Sequence, residues 1–172
     1  MQYHEFDGIQ LSQLGMGAMR LPQTEPGFAK PIDEPKAMEL IDCCISHGVN
    51  YFDTAYIYHM GQSEVLLGKA LKRYPRDSFC VADKFNVQAE PDYEKQFARQ
   101  LERLQMDRID FYLLHGATDK LISTIWTTAR RSIFGSRSGW GRSGISASPS
   151  TAPPTLCGRC WPAAHGTLCR SS

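Results

Sequence analysis

A chain of 172 residues has the length of one domain, and its 42% apolar and 22% charged residues are ordinary for a globular one. The net charge of +1 excludes a chain that is strongly basic or acidic as a whole. No signal-like segment opens it, no apolar run is long enough to span a membrane, and Cys43, Cys44 and Cys80 have neither disulfide nor metal-ligand spacing. The expectation is a cytoplasmic protein with no metal site.

Residues 1–12 alternate weakly around Asp7–Gly8, which suits a short hairpin. A strand is predicted over Leu14–Met19. "EPKAMELIDCCISHG" has helical spacing at Ala37, Leu40, Ile41, Cys44 and Ile45 and ends at Gly48. "VNYFDT" reads as a strand and "SEVLLGKALKRY" as a helix N-capped by Ser63. "FCVADKF" reads as a strand, "PDYEKQFARQLERLQ" as an amphipathic helix with Pro91 near its start, and "RIDFYLLH" as a strand apolar at nearly every residue. Strands alternating with helices imply βαβ units and a parallel sheet, and runs such as "FYLL" imply burial on both faces. About four such units fit either half of a (β/α)₈ barrel or part of an open doubly wound sheet.

Polar residues at the strand ends favour the barrel. Asp53, Lys84 and His115 follow three successive strands, and in a parallel barrel such ends share the mouth where active sites are built. Tyr58 lies in the loop after Asp53, within reach of the same mouth. Singly, each has an ordinary reading as a turn cap, a surface charge, a core histidine or a packed aromatic. Together they read as a site.

"GVNYFDTAYIYHMGQSEVLLGKALK" resembles the aldo-keto reductase signature, "LGMGAMRLP" that family's first barrel strand, and "QLERLQMDRIDFYLLHG" the stretch through its fourth. The likeness covers residues 1–121. Its Met-Arg-Leu-Pro and Leu-Leu-His-Gly variants are similar to a bacterial branch that often ends in a ferredoxin-like cluster domain; no iron–sulfur cluster is expected in this chain. The resemblance implies a TIM barrel, NADPH as cofactor, a small carbonyl substrate, and a catalytic set at Asp53, Tyr58, Lys84 and His115. It also implies that Gly17, Ala18, Met19 and Arg20 line the nicotinamide, while later barrel loops grip the phosphates. Where the family usually has Thr before the lysine, this chain has Asp83, which strand alternation points away from the mouth.

The chemistry accounts for these residue types. Hydride transfer to a carbonyl carbon needs a proton donor at the oxygen. A phenol is a weak acid, with a pKa of about 10, and a nearby ammonium strengthens it. Tyr58 is then the acid, Lys84 its activator, Asp53 the group that orients Lys84, and His115 a hydrogen-bond partner of the substrate oxygen or the phenol.

The pattern stops beyond Ile122. Residues 1–120 carry 13 Lys and Arg against 18 Asp and Glu, a net of −5, whereas residues 121–172 carry six Arg and no acid, a net of +6. All three Trp and three of the six Cys fall in that tail. The single Cys-x-x-Cys pair at Cys157–Cys160 does not by itself make a metal set. The genetic code offers another reading. If the tail is translated one nucleotide out of register, Trp140–Gly141 forces Gly, Cys160–Trp161 forces Leu, Trp161–Pro162 forces Ala and Trp126–Thr127 forces Asp. From Phe134 onward, degeneracy permits a string resembling the family's Lys/Arg-x-Gly-x-x-Arg-x-Leu-Gly-x-Ser segment, and later a Trp-Asp-x-x-Gln.

The expectation is therefore an α/β chain: a short hairpin, four βα units forming the N-terminal half of a TIM barrel over 1–121, and an irregular, disordered, frameshifted tail over 122–172. Such a half barrel leaves two sheet edges open, implying self-association, instability and little or no reductase activity. No membrane partner and no specific nucleic acid is expected. A non-catalytic half-barrel module and a basic-tail nucleic-acid binder are the alternatives.

Overall fold

The computed structural model describes residues 1–27, 30–116 and 118, together with short strands at 161–163 and 166–168. Strands β1 (Tyr3–Phe6) and β2 (Ile9–Ser12) pair antiparallel about Asp7 and Gly8, whose φ angles of 50° and 79° are those of a two-residue hairpin turn. Strand β3 (Met16–Gly17) leads into a 3-10 turn at Ala18–Arg20. Helix α1 (Glu34–Ser46) is capped by Asp33, which accepts from Lys36 N at 3.3 Å, and strand β4 (Tyr51–Asp53) follows. Helix α2 (Gln62–Leu71), strand β5 (Cys80–Phe85), helix α3 (Tyr93–Leu104) and strand β6 (Phe111–Leu114) complete the series. Asp92 caps α3 by accepting from Lys95 N at 3.0 Å.

Strands β3, β4, β5 and β6 lie side by side in chain order, all parallel. This is the partial barrel that the polar strand ends favour over an open doubly wound sheet. Alternation sorts each strand onto two faces. Toward the helices, Phe52, Val81, Phe85 and Tyr112 join Ile41, Leu67, Leu71 and Leu104 in the main core. On the concave face Cys80, Ala82, Phe111 and Leu113 form a second cluster with Leu11 and Tyr51. Burial pushes the Cys80 thiol up to about 11, so it packs there as a neutral apolar group.

The hairpin floors this concave face. The Phe6 and Phe111 rings lie 5.8 Å apart. Asn50 stitches the floor to β4: its Oδ1 accepts from Ser12 N, and its Nδ2 donates to Gln10 O, both at 2.7 Å. Tyr3 donates its hydroxyl to Gly48 O at 2.9 Å. Helices α2 and α3 approach closely at Gly68, where a Cβ would stand 2.2 Å from Leu104 O, so only a glycine fits.

Two expectations change. The strand predicted over Leu14–Met19 is two residues long, because Leu14 is exposed and the chain turns at Ala18. Ser63 does not cap α2. The helix starts at Gln62 after a left-handed Gly61, and Ser63 is fully buried, donating to Ala18 O at 3.1 Å and bonded to Thr54 Oγ1 at 2.8 Å. A buried hydroxyl serves two other segments better than its own helix end.

Within the tail, strands β7 (Trp161–Ala163) and β8 (Gly166–Leu168) pair antiparallel, and β8 continues the sheet beside β6 through Phe111 and Thr167. An irregular tail is expected there; an open sheet edge offers unpaired backbone groups to any extended segment. Cys157–Cys160 and the stretch from Phe134 to Cys160 lie outside the described residues.

Candidate active site

The C-terminal ends of β4, β5 and β6 bring Asp53, Lys84 and His115 to one side of the sheet. Register explains this: Asp53 pairs with Ala82, and Lys84 pairs with Leu113, two residues before His115. Parallel neighbours in register share a face, so all three project from the concave side. His115 N donates to Phe85 O at 2.9 Å, extending the ladder one residue past β6.

Lys84 Nζ lies 2.6 Å from Asp53 Oδ1 and 2.7 Å from Thr54 O. The same ammonium stands 5.0 Å from the centroid of the Tyr58 ring. That ring meets His115 edge-on, with centroids 5.8 Å apart and planes at 81°. The four residues chosen at strand ends are thus one contiguous group. Burial, then the Lys84 charge, holds the His115 imidazole below its ordinary range, against an opposing pull from Asp53. That favours the neutral ring. Among the described residues, its buried Nδ1 has no hydrogen-bond partner.

Tyr58 stands on a strained loop. His59 and Met60 take left-handed φ angles of 49° and 57°, and Gly61 takes 87°. Arg103 of α3 underpins it. Its guanidinium donates to Tyr56 O at 3.2 Å, covers the Tyr56 ring at 4.6 Å and pairs with Glu64 at 2.7 Å. A Cβ on Gly61 would fall 2.7 Å from Arg103 Nη1. Neither Arg103 nor the Thr54 carbonyl carries a strand-end signal, so strand-end reasoning misses both; the Arg103 partners lie 39 and 47 residues away in sequence.

The four residues expected along the nicotinamide divide. Gly17 pairs with Asp53 and faces the same side, with nothing within 4 Å of where a Cβ would be. Met19 and Arg20 are exposed. Ala18 differs: its side chain is buried in the main core, and only its carbonyl, held by Ser63, faces a polar group. Among the described residues, no group of three or more His, Cys, Asp or Glu could hold a metal ion. No helix among them is long and apolar enough to cross a membrane.

A family model described as "Aldo/keto reductase family" matches residues 13–121, the span that holds every residue of this site. The chain belongs to the aldo/keto reductase family. A probable aldo-keto reductase from Glycine max is 32% identical over 119 residues, covering 63% of this chain and 34% of the relative. The holo form of aldo-keto reductase AKR11C1 from Bacillus halodurans superposes with a TM-score of 0.57 at 32% identity, covering 77% of this chain and 47% of that one. An aldo-keto reductase from Klebsiella pneumoniae in complex with NADPH shares the fold at 21% identity, with a TM-score of 0.57, covering 75% and 44%. The chain spans about a third of the length of the curated relatives it matches.

Proposed function

We propose that residues 13–121 carry the carbonyl-reducing centre of an NADPH-dependent aldo-keto reductase acting on small aldehydes or ketones. Residues 122–172, on this reading, are the same gene's barrel sequence read one nucleotide out of register. The observation that carries the first part is the Lys84 ammonium, held by Asp53 on one side and set 5.0 Å from the Tyr58 ring on the other.

The residues present fit the nicotinamide end of the cofactor. Gly17 leaves open space beside Asp53, and Met19 and Arg20 are free to line it. NADPH, when bound, supplies the hydride. As the carbonyl carbon accepts it, the C–O π pair moves onto oxygen and negative charge grows there. Tyr58 gives its hydroxyl proton to that oxygen and becomes phenolate, which the Lys84 ammonium stabilises. Asp53 and the Thr54 carbonyl hold Lys84 charged and aimed. Neutral His115 is able to donate one N–H to the substrate oxygen while leaving Tyr58 the only acid. On this reading the enzyme works in the cytoplasm on a small carbonyl substrate, with neither a membrane nor a specific nucleic acid as partner.

The codon argument supports the second part. The forced Gly falls where the family's next segment has one, and the loss of every acid after Asp119 needs no function to explain it. A chain lacking those segments holds the reacting end of the cofactor but not its phosphates. The test compares two genes: this one, and one with a single nucleotide restored between the codons for Asp119 and Ile122. The restored enzyme is expected to oxidise NADPH with a simple aldehyde, and Tyr58→Phe to reduce that rate about 10²–10⁴-fold. Turnover by the unrestored chain would sink the out-of-register reading. A restored enzyme indifferent to Tyr58→Phe would sink the assignment of the acid.

A further inference from the structure

Behind Lys84, on the helix-facing side of β5, lies a polar cluster the proposed chemistry does not use. Asp83, Glu64, Gln100 and Tyr112 all have no solvent exposure, although two carry carboxyl groups. Their bonds form a connected set. Arg103 Nη1 donates to Glu64 Oε2 at 2.7 Å, and Gln100 Nε2 donates to Glu64 Oε1 at 3.2 Å. Gln100 Nε2 also donates to Lys84 O at 3.2 Å, and Tyr112 donates its hydroxyl to Gln100 Oε1. Asp83 Oδ1 accepts from Lys84 N at 2.7 Å.

One atom is left over. Among the described residues, the buried Asp83 Oδ2 meets no donor. The Glu64 carboxyl acts on Asp83 through its charge and a side-chain hydrogen bond. Two carboxylates have no proton between them to bond with, and a bare buried acceptor costs about 1–3 kcal/mol. Among the described residues, the side-chain cation bonded within this cluster is Arg103, and Glu64 already holds it. Burial raises the Glu64 carboxyl, but of the two acids Glu64 has the ion pair and the amide donor, which favour its ionised form.

We propose that Asp83 is a protonated, neutral carboxylic acid that donates Oδ2–H to the Glu64 carboxylate, and that this shared proton makes Asp83 a positioning residue for Lys84. The proton turns the one unsatisfied atom into a donor and removes the repulsion between the two acids. It completes a bracket around the Lys84 backbone, whose N–H is held by Asp83 and whose C=O is held by Gln100. Through Arg103 and the Tyr56 carbonyl the same cluster reaches the loop carrying Tyr58. Burial first, and the Glu64 charge second, push the Asp83 carboxyl well above the usual range, with the Lys84 backbone bond and charge opposing. The groups facing it are Glu64 from α2, Arg103 and Gln100 from α3, Lys84 from β5 itself and Tyr112 from β6.

The role of Lys84 rests on the function proposed above; the proton does not, and the test avoids reductase activity. Because the folded state holds a proton that the unfolded chain releases near pH 4, this group's stabilisation is full at low pH and declines as pH rises toward the folded-state value. Infrared spectra of the full chain at pH 7 are expected to show one protonated-carboxyl C=O band that Asp83→Asn removes. Glu64→Gln should keep that band at a shifted frequency. Between pH 5 and pH 8 the thermal midpoint of the chain should fall by about 5 °C more than that of Asp83→Asn. Absence of the band in the unmutated chain overturns the proposal, whatever the variants do. So does a band that survives in Asp83→Asn, which would put the proton on Glu64. A gap between chain and Asp83→Asn that is constant with pH would make Asp83 merely structural.

Discussion

The two faces of β5 handle charge in opposite ways. On the concave face Lys84 is ion-paired with Asp53, and both retain some access to water, with side chains 15% and 29% exposed. On the helix face, one residue earlier, Asp83 is sealed among α2, α3 and β6 with a second acid beside it. A pair at a mouth can be rearranged by substrate; a pair in a core must be satisfied once, at folding. The neighbouring positions therefore differ in what they can contribute: Lys84 offers reactivity, Asp83 offers rigidity.

The largest expected effect breaks the helix face. Arg103→Met leaves the fully buried Glu64 without its cation, and such a loss costs about 3–5 kcal/mol. Urea unfolding measures it, and a change below about 1 kcal/mol would mean the interior pair is dispensable. Tyr112→Phe removes one donor to Gln100 while keeping the ring, and should cost about 1 kcal/mol in the same assay. Lys84→Met tests the concave face. There water can reach the abandoned Asp53, so stability should move by less than about 1 kcal/mol. A loss as large as that of Arg103→Met would erase the contrast between the faces. The smallest effect concerns His115, whose burial favours the neutral ring. Its folded-state pKa is lowered, so its contribution is present above about pH 6.5 and is lost as pH falls through the folded value. Replacing His115 with Asn should flatten the thermal midpoint across that acidic window.

Much of the concave face is legible in the sequence, because its logic is local: a strand, then a polar residue at its end. Asp53, Lys84 and His115 follow from that pattern, and strand alternation alone turns Asp83 away from them. The helix face is not legible in the same way. Gln96 and Gln100 sit four residues apart on an amphipathic helix and read as solvated positions, yet both are buried. Gln96 instead brackets Asn86, accepting from its N–H at 2.7 Å and donating to its carbonyl at 2.9 Å. Those partners are ten or more residues distant, and only the packed fold decides that a polar side chain faces inward. Ser63 fails as a cap for the same reason: its bonds go to Ala18 and Thr54, which no local rule connects.

The hairpin floor has a consequence for the order of folding. Its anchoring bonds join residues 3, 10 and 12 to residues 48 and 50, so they close within the first 50 residues of the chain. The apolar packing of Phe6 and Leu11 against Phe111 and its cluster comes from farther along. Both partners of each bond are made before β5 leaves the ribosome, and N-terminal segments are synthesised first. The floor and β4 therefore make a natural starting surface on which β5 and then β6 are laid as they are synthesised. The base of the barrel is set while the residues of its mouth are still being added.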